Sequence, residues 1–138
     1  MTVVVDTGGI IALVDADDTH HRAVRAIYDA DPRAWVLPWA ILPEVDYLLS
    51  RHVGAPAEMA FVRDIVDGSY AVEWCEPGDL GRARDLVERH ESLRLGLVDS
   101  VVMATAERLR TRAIATLDLR HFGAVNLRGA PRLDPRDL

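Results

Sequence analysis

Apolar and polar positions come in alternating blocks along the 138 residues. "TVVVD" is a β-branched run ending in an acid and predicts a strand over Thr2–Val5. "GGIIALVDAD" then predicts a short helix. "THHRAVRAIYDAD" brings Ala23, Val24, Ile27 and Tyr28 to helical spacing and stops before Pro32. "AWVLP" predicts a second strand, Ala34–Leu37. "AILPEVDYLLSRHV" is helical, with Ile41, Val45, Leu48 and Leu49 on one side. Pro43 must then sit in the first turn, where its missing N–H does no harm. "PAEMAFVRDIVDG" predicts a helix ending at Gly68, and "YAVEW" a strand. "PGDLGRARDLVERHES" predicts a helix started by Pro77 or Asp79. "GLVDSVVMATAERL" predicts another, and "RAIATLD" a strand ending at Leu117. The tail "VNLRGAPRLDPRDL" reads as loop with at most one edge strand.

Strands separated by helices predict an α/β fold with a mostly parallel sheet covered on both faces. About half the residues are apolar (49%), which suits one domain over residues 1–138. Its core is expected over about 2–122, with 123–138 as a C-terminal tail. Ligands of such sheets sit beyond the carboxyl ends of the strands. The first strand ends at Asp6 and the last clear one just before Asp118. If those strands lie near each other, two carboxylates meet at one rim.

Composition narrows the chemistry. No stretch is long and apolar enough to span a bilayer, and the N-terminus meets Asp6 too early for a signal peptide, so a soluble cytoplasmic protein is expected. Cys75 is the only cysteine, which excludes an intrachain disulfide and a Cys-based zinc site; it reads as an inert core residue. Every basic side chain is Arg. Without Lys there is no P-loop, no Schiff base and no Ser–Lys dyad. The net charge of −6 argues against a nucleic-acid partner until its distribution is considered. Residues 1–99 hold 9 Arg and 18 acids, whereas residues 100–138 hold 7 Arg and 4 acids. The acids suit a cation site or a solvated surface, and the basic tail suits phosphates.

Four carboxylates fall where strands end or helices begin. Asp6, before "TGGIIAL", reads alone as a helix cap. Glu44 has Ile41, Tyr47 and Leu48 as helical neighbours, so it points towards the apolar side, or sits on a helix edge favoured by the dipole. Asp99 stands in line with Val102, Met103 and Ala106, on the buried face: a cap, or a group aimed at a cleft. Asp118 reads as a turn acid. Together they mean more than singly. Unpaired carboxylates buried in one place are costly and raise each other's pKa unless a cation neutralises them. Mg²⁺ or Mn²⁺ matches such oxygen ligands. An ion with few protein ligands keeps water, which can become a nucleophile towards a phosphodiester.

"VVVDTGGIIALVD", "ILPEVDYLL", "LGLVDSVVMATA" and "AIATLDLRHF" resemble, in order and spacing, the PIN domain, and more narrowly the toxins of type II VapBC toxin–antitoxin systems. The resemblance runs from the first strand to about Phe122. It implies a PIN-like fold and an Mg²⁺-dependent endoribonuclease, with Mn²⁺ as a substitute. Asp6 and Asp99 would be the principal ligands, with Glu44 and Asp118 completing the quartet. Thr116, in "T-x-D", would be a hydroxyl orienting water or a carboxylate. The implied substrate is RNA, often tRNA or ribosomal RNA, cut to leave a 5′-phosphate and a 3′-hydroxyl. The implied partners are a second copy of the chain, in a homodimer, and a VapB-like antitoxin whose C-terminal segment lies in the active-site groove, in a heterotetramer or larger assembly. Two positions depart from the pattern. Gly8 stands where a hydroxyl is usual, and Pro43 immediately precedes Glu44. A non-catalytic PIN-like module that binds RNA or protein is the alternative; a phosphatase of another α/β family lacks its second Asp and its Lys here.

Other residues read as structural. His20 and His21 are adjacent and cannot share one helix face, so exposed imidazoles at a helix start are expected rather than a metal cluster. His121 and Arg120 in "LRHF" either sit near the site or play other parts: a structural role beside Phe122 is expected for His121, and phosphate contact is an alternative for Arg120. Arg108, Arg110, Arg112, Arg128, Arg132 and Arg136 are candidates for RNA contact without a ranking. Trp35, Trp39 and Trp74 are expected in the core or a dimer interface.

Overall fold

Three successive valines, Val3–Val5, form strand β1, and all three are buried because helices cover both faces of the sheet. The structure, a computed structural model, describes residues 1–138. The other strands are β2 (Trp35–Pro38), β3 (Ala71–Glu73), β4 (Ala113–Ala115) and β5 (Arg132–Asp134). They form one sheet in the order β3-β2-β1-β4-β5, and every pairing is parallel. The helices are α1 (Thr7–Val14), α2 (His21–Ala30), α3 (Leu42–His52), α4 (Ala55–Val66), α5 (Pro77–Arg89), α6 (Leu97–Leu109) and the single turn α7 (Leu119–Phe122). Short 3₁₀ turns occupy Pro32–Ala34, Trp39–Ile41 and Glu91–Leu93. No helix is long and apolar enough to cross a membrane.

The expected elements are present, with informative shifts at their ends. Pro43 sits in the first turn of α3, as its chemistry requires. Pro77 opens α5, and Glu76 and Asp79 form a reciprocal capping box there. The sequence predicts a last clear strand to Leu117, but β4 ends at Ala115. The Thr116 N–H still reaches the Asp134 carbonyl at 3.1 Å, and the chain then turns away at Leu117, where Asp118 caps α7 and accepts the His121 N–H at 3.1 Å. The tail contributes β5, which pairs with β4 from Ala113↔Arg132 to Ala115↔Asp134.

Neighbouring helices pack against each other as α1 with α2, α3 with α4 and α5 with α6. The last pair is tied by charge. Arg108 on α6 reaches the buried Asp79 on α5 at 2.8 and 3.1 Å, and Glu73 at 2.8 Å. Arg82 on α5 grips Glu107 on α6 in the same two-pronged way. Val101, Val102, Met103 and Ala104 bury the middle of α6, so its first turn is held rigidly against the sheet. Trp35 lies in the core as expected, whereas Trp74 is exposed. Cys75 is not a core residue: it sits half-buried after β3, because the chain has already left the sheet there.

Candidate active site

The register of β1 and β4 creates the site. Val5 pairs with Ala115, so the next residues, Asp6 and Thr116, leave the sheet side by side. The Asp6 N–H continues the ladder to the Ala115 carbonyl at 3.0 Å. The Thr116 hydroxyl donates to Asp6 Oδ2 at 3.0 Å and accepts the Asp118 N–H at 3.1 Å. One hydroxyl thus links two of the expected carboxylates. Neither Asp6 nor Asp99 caps its helix through the side chain. Asp99 is the third residue of α6, behind Gly96 at the cap position, and its carboxylate turns to His121 instead.

Asp6, Glu44, Asp99 and Asp118 all line one cleft of about 660 Å³, together with Thr7, Gly8, Asp18 and the apolar Ile11, Leu48, Leu97 and Leu117. Glu44 takes the helix-edge position, the second of its two readings. It is exposed rather than turned to the apolar side, because Val45 and Leu49 take the inward positions of α3. It meets the cleft from the rim. Gly8 leaves one wall open: a Cβ there would lie 3.8 Å from Leu117 Cβ. The neighbouring Thr7 hydroxyl is buried with no hydrogen-bond partner.

Burial and like charge act on the carboxylates. Burial, reinforced by Asp99, pushes Asp6 up to about 7. Asp99 is raised as well, by burial first and then by Asp118. Both shifts arise from negative charge held out of water beside like charge, and at Asp99 the nearby His121 offsets part of the effect.

His121 takes the place near the site that the sequence left open, beyond the structural role expected of it. Its ring does not merely support Phe122. Nδ1 lies 2.8 Å from Asp118 Oδ2 and 3.1 Å from Asp99 Oδ2, and Nε2 lies 3.1 Å from the Leu93 carbonyl. The Asp118 carboxylate raises the His121 pKa. Asp18 is the residue the sequence did not single out for the cleft; it lies between α1 and α2, and only the fold brings it there. His20 and His21 form no metal cluster. The only such grouping of three is Asp99, Asp118 and His121, and His21 Nδ1 is 2.8 Å from the Ala12 carbonyl.

The tail arginines now separate. Arg108, Arg112, Arg132 and Arg136 are paired with carboxylates. Arg110, Arg120 and Arg128 have no such partner. Arg110 and Arg128 line a second cleft with Arg112 and Met1, at the end of the sheet away from the acids. Arg120 lies on α7, two residues from Asp118.

A parallel sheet in this order, with acids gathered where β1 and β4 end, is the arrangement of a PIN domain. Residues 3–126 match the PIN domain family, and the chain belongs to it. It is 33% identical over 130 residues to Ribonuclease VapC26 of Mycobacterium tuberculosis, covering 94% of this chain and 96% of that protein. Its fold is similar to that of M. tuberculosis VapC20, a sarcin–ricin-loop-cleaving toxin, with a TM-score of 0.81 at 21% identity, covering 93% of this chain and 98% of that one. It is also similar to DNA-bound VapBC from Salmonella typhimurium, with a TM-score of 0.72 at 16% identity and 97% of both chains covered.

Proposed function

We propose that this chain is the toxin of a type II toxin–antitoxin system and an endoribonuclease that uses a divalent cation, Mg²⁺ or Mn²⁺. The observation that carries the reading is the gathering of Asp6, Glu44, Asp99 and Asp118 on one cleft of a PIN-family chain. The residues fit a hard cation. The donors are carboxylate oxygens, Asp6 and Asp99 are raised by burial and by neighbouring carboxylates, and the buried Thr7 hydroxyl at the cleft has no partner. Such an ion supplies, when bound, neutralisation of phosphodiester charge and a more acidic water.

The chain's own groups do the positioning. Thr116 fixes the rotamer of Asp6 through its hydroxyl and the loop of Asp118 through its oxygen. The packed middle of α6 holds Asp99 in place. Glu44, at the exposed rim, meets substrate and water first. The proposed substrate is RNA of the tRNA or ribosomal class. The proposed partners are a VapB-like antitoxin that covers the acidic cleft and a second copy of the chain. The proposed ends are a 5′-phosphate and a 3′-hydroxyl.

Asp6→Ala and Asp99→Ala should abolish cleavage and growth inhibition while circular dichroism stays native. RNA-end sequencing of cells expressing the wild type against Asp99→Ala identifies the substrate. Undiminished cutting by purified Asp99→Ala protein would refute the assignment.

A further inference from the structure

His121 stands among the acids in an arrangement that support of Phe122 does not require. Its Nε2 faces the Leu93 carbonyl at 3.1 Å, and a carbonyl only accepts, so Nε2 carries a proton in every state of the ring. Nδ1 is therefore the end that meets the acids: it lies between Asp118 Oδ2 and Asp99 Oδ2. When the ring is charged Nδ1 donates to them, so a bound ion would take the place of that proton. Fixing one imidazole nitrogen through a backbone carbonyl is how proteins orient the other as a metal ligand. The ring is held on its other side too. Buried Phe122 pins α7 to the core, and Asp118 Oδ1 accepts the His121 backbone N–H while its Oδ2 faces the ring's Nδ1.

The spacing agrees with this use. Neighbouring donors around a six-coordinate ion with bonds of about 2.1 Å are about 3 Å apart. The distances of 2.8 and 3.1 Å from Nδ1 to the two carboxylate oxygens bracket that separation. The unpartnered Thr7 hydroxyl, buried at the same cleft, is a separate sign that the cleft takes a ligand.

We propose that His121 ligates the divalent ion directly through Nδ1, making this a mixed nitrogen–oxygen site that prefers Mn²⁺ to Mg²⁺. The inference rests on the metal-dependent reading above. Its chemistry is that imidazole suits first-row transition ions, whereas Mg²⁺ keeps to oxygen. Binding displaces one proton from Nδ1 when the ring enters as imidazolium; that proton leaves to solvent, and no other bond changes.

The test uses the full chain stripped of metal and titrated separately with Mn²⁺ and Mg²⁺. Pulsed electron paramagnetic resonance of the Mn²⁺ form should show coupling to an imidazole ¹⁴N nucleus, lost in His121→Gln. That substitution should weaken Mn²⁺ about 10-fold or more and Mg²⁺ by less than about twofold, following the usual cost of a lost metal-site group. Mn²⁺ bound by the wild type without nitrogen coupling, or an unchanged Mn²⁺/Mg²⁺ ratio in His121→Gln, overturns the proposal. If that Mn²⁺ is lost in Asp99→Asn, the carboxylate reading survives. A wild-type chain that binds neither ion overturns both. The wild-type spectrum needs no variant, so a misfolded substitution cannot blur the result.

Discussion

Asp6 is the residue on which folding and chemistry conflict. Burial and Asp99 raise it from the ordinary carboxylate value of 3.8 to about 7. In the folded protein it therefore holds a proton that the unfolded chain has lost between about pH 4 and 7. Stability without metal must fall as pH rises through that window, by at most about 4 kcal/mol for a shift of this size. With a chelator present, Asp6→Asn should unfold at higher urea than the wild type above pH 7. The difference should close as pH approaches 4, since Asn can still accept the Thr116 hydroxyl. A constant difference across that range would remove burial of charge as the cause. Asp99 shows a related tension: a carboxylate in the first turn of a helix is a natural cap, yet here it faces His121.

At the scale of elements, α1 and β4 are the pair that set the site. Gly9 lies so close to β4 that an added Cβ would come 2.5 Å from the Ala115 carbonyl oxygen and 3.2 Å from Val5 Cγ1. Gly9→Ala must push α1 away from the strand, at a cost of about 1–3 kcal/mol typical of overpacking. Because Asp6 is the hinge between β1 and α1, activity should fall further than stability. Gly81 is the control. It lies within α5 with nothing near an added Cβ, so Gly81→Ala should stabilise by about 0.5–1 kcal/mol. Urea titration of both variants checks the opposite signs. The same closeness explains what the sequence could not reveal. "DTGG" before "IIAL" reads as a helix start, and only the packing of α1 on β4 gives Gly9 its purpose.

For the whole molecule, the parallel order places the acids beyond one end of the sheet and the unpaired Arg110 and Arg128 at the other. An ion held in the acidic cleft binds only the folded state. Mg²⁺ or Mn²⁺ at 100 times its dissociation constant should therefore add about 2.7 kcal/mol of stability. A thermal melt should shift upward for the wild type and very little for Asp99→Asn, whose cleft has lost a donor. An equal shift in both would place the stabilising ion elsewhere.

Much of this protein is local, and local properties are legible in a sequence. The β-branched run Val3–Val5, the apolar spacing of α3 and α6, and Pro43 and Pro77 in first turns follow from side-chain sterics and period. These give the α/β class, and the four acids at element ends give the candidate site. What the tertiary structure alone decided are relations between distant segments. The register of Val5 against Ala115 sets Thr116 beside Asp6. The end of β4 at Ala115 frees Asp118 to cap α7, and that turn swings His121 between Asp99 and Asp118. Glu44 lies at the rim rather than inside because Val45 and Leu49 claim the core. Each relation depends on strand pairing or helix packing across many residues, and no window of neighbouring positions encodes it.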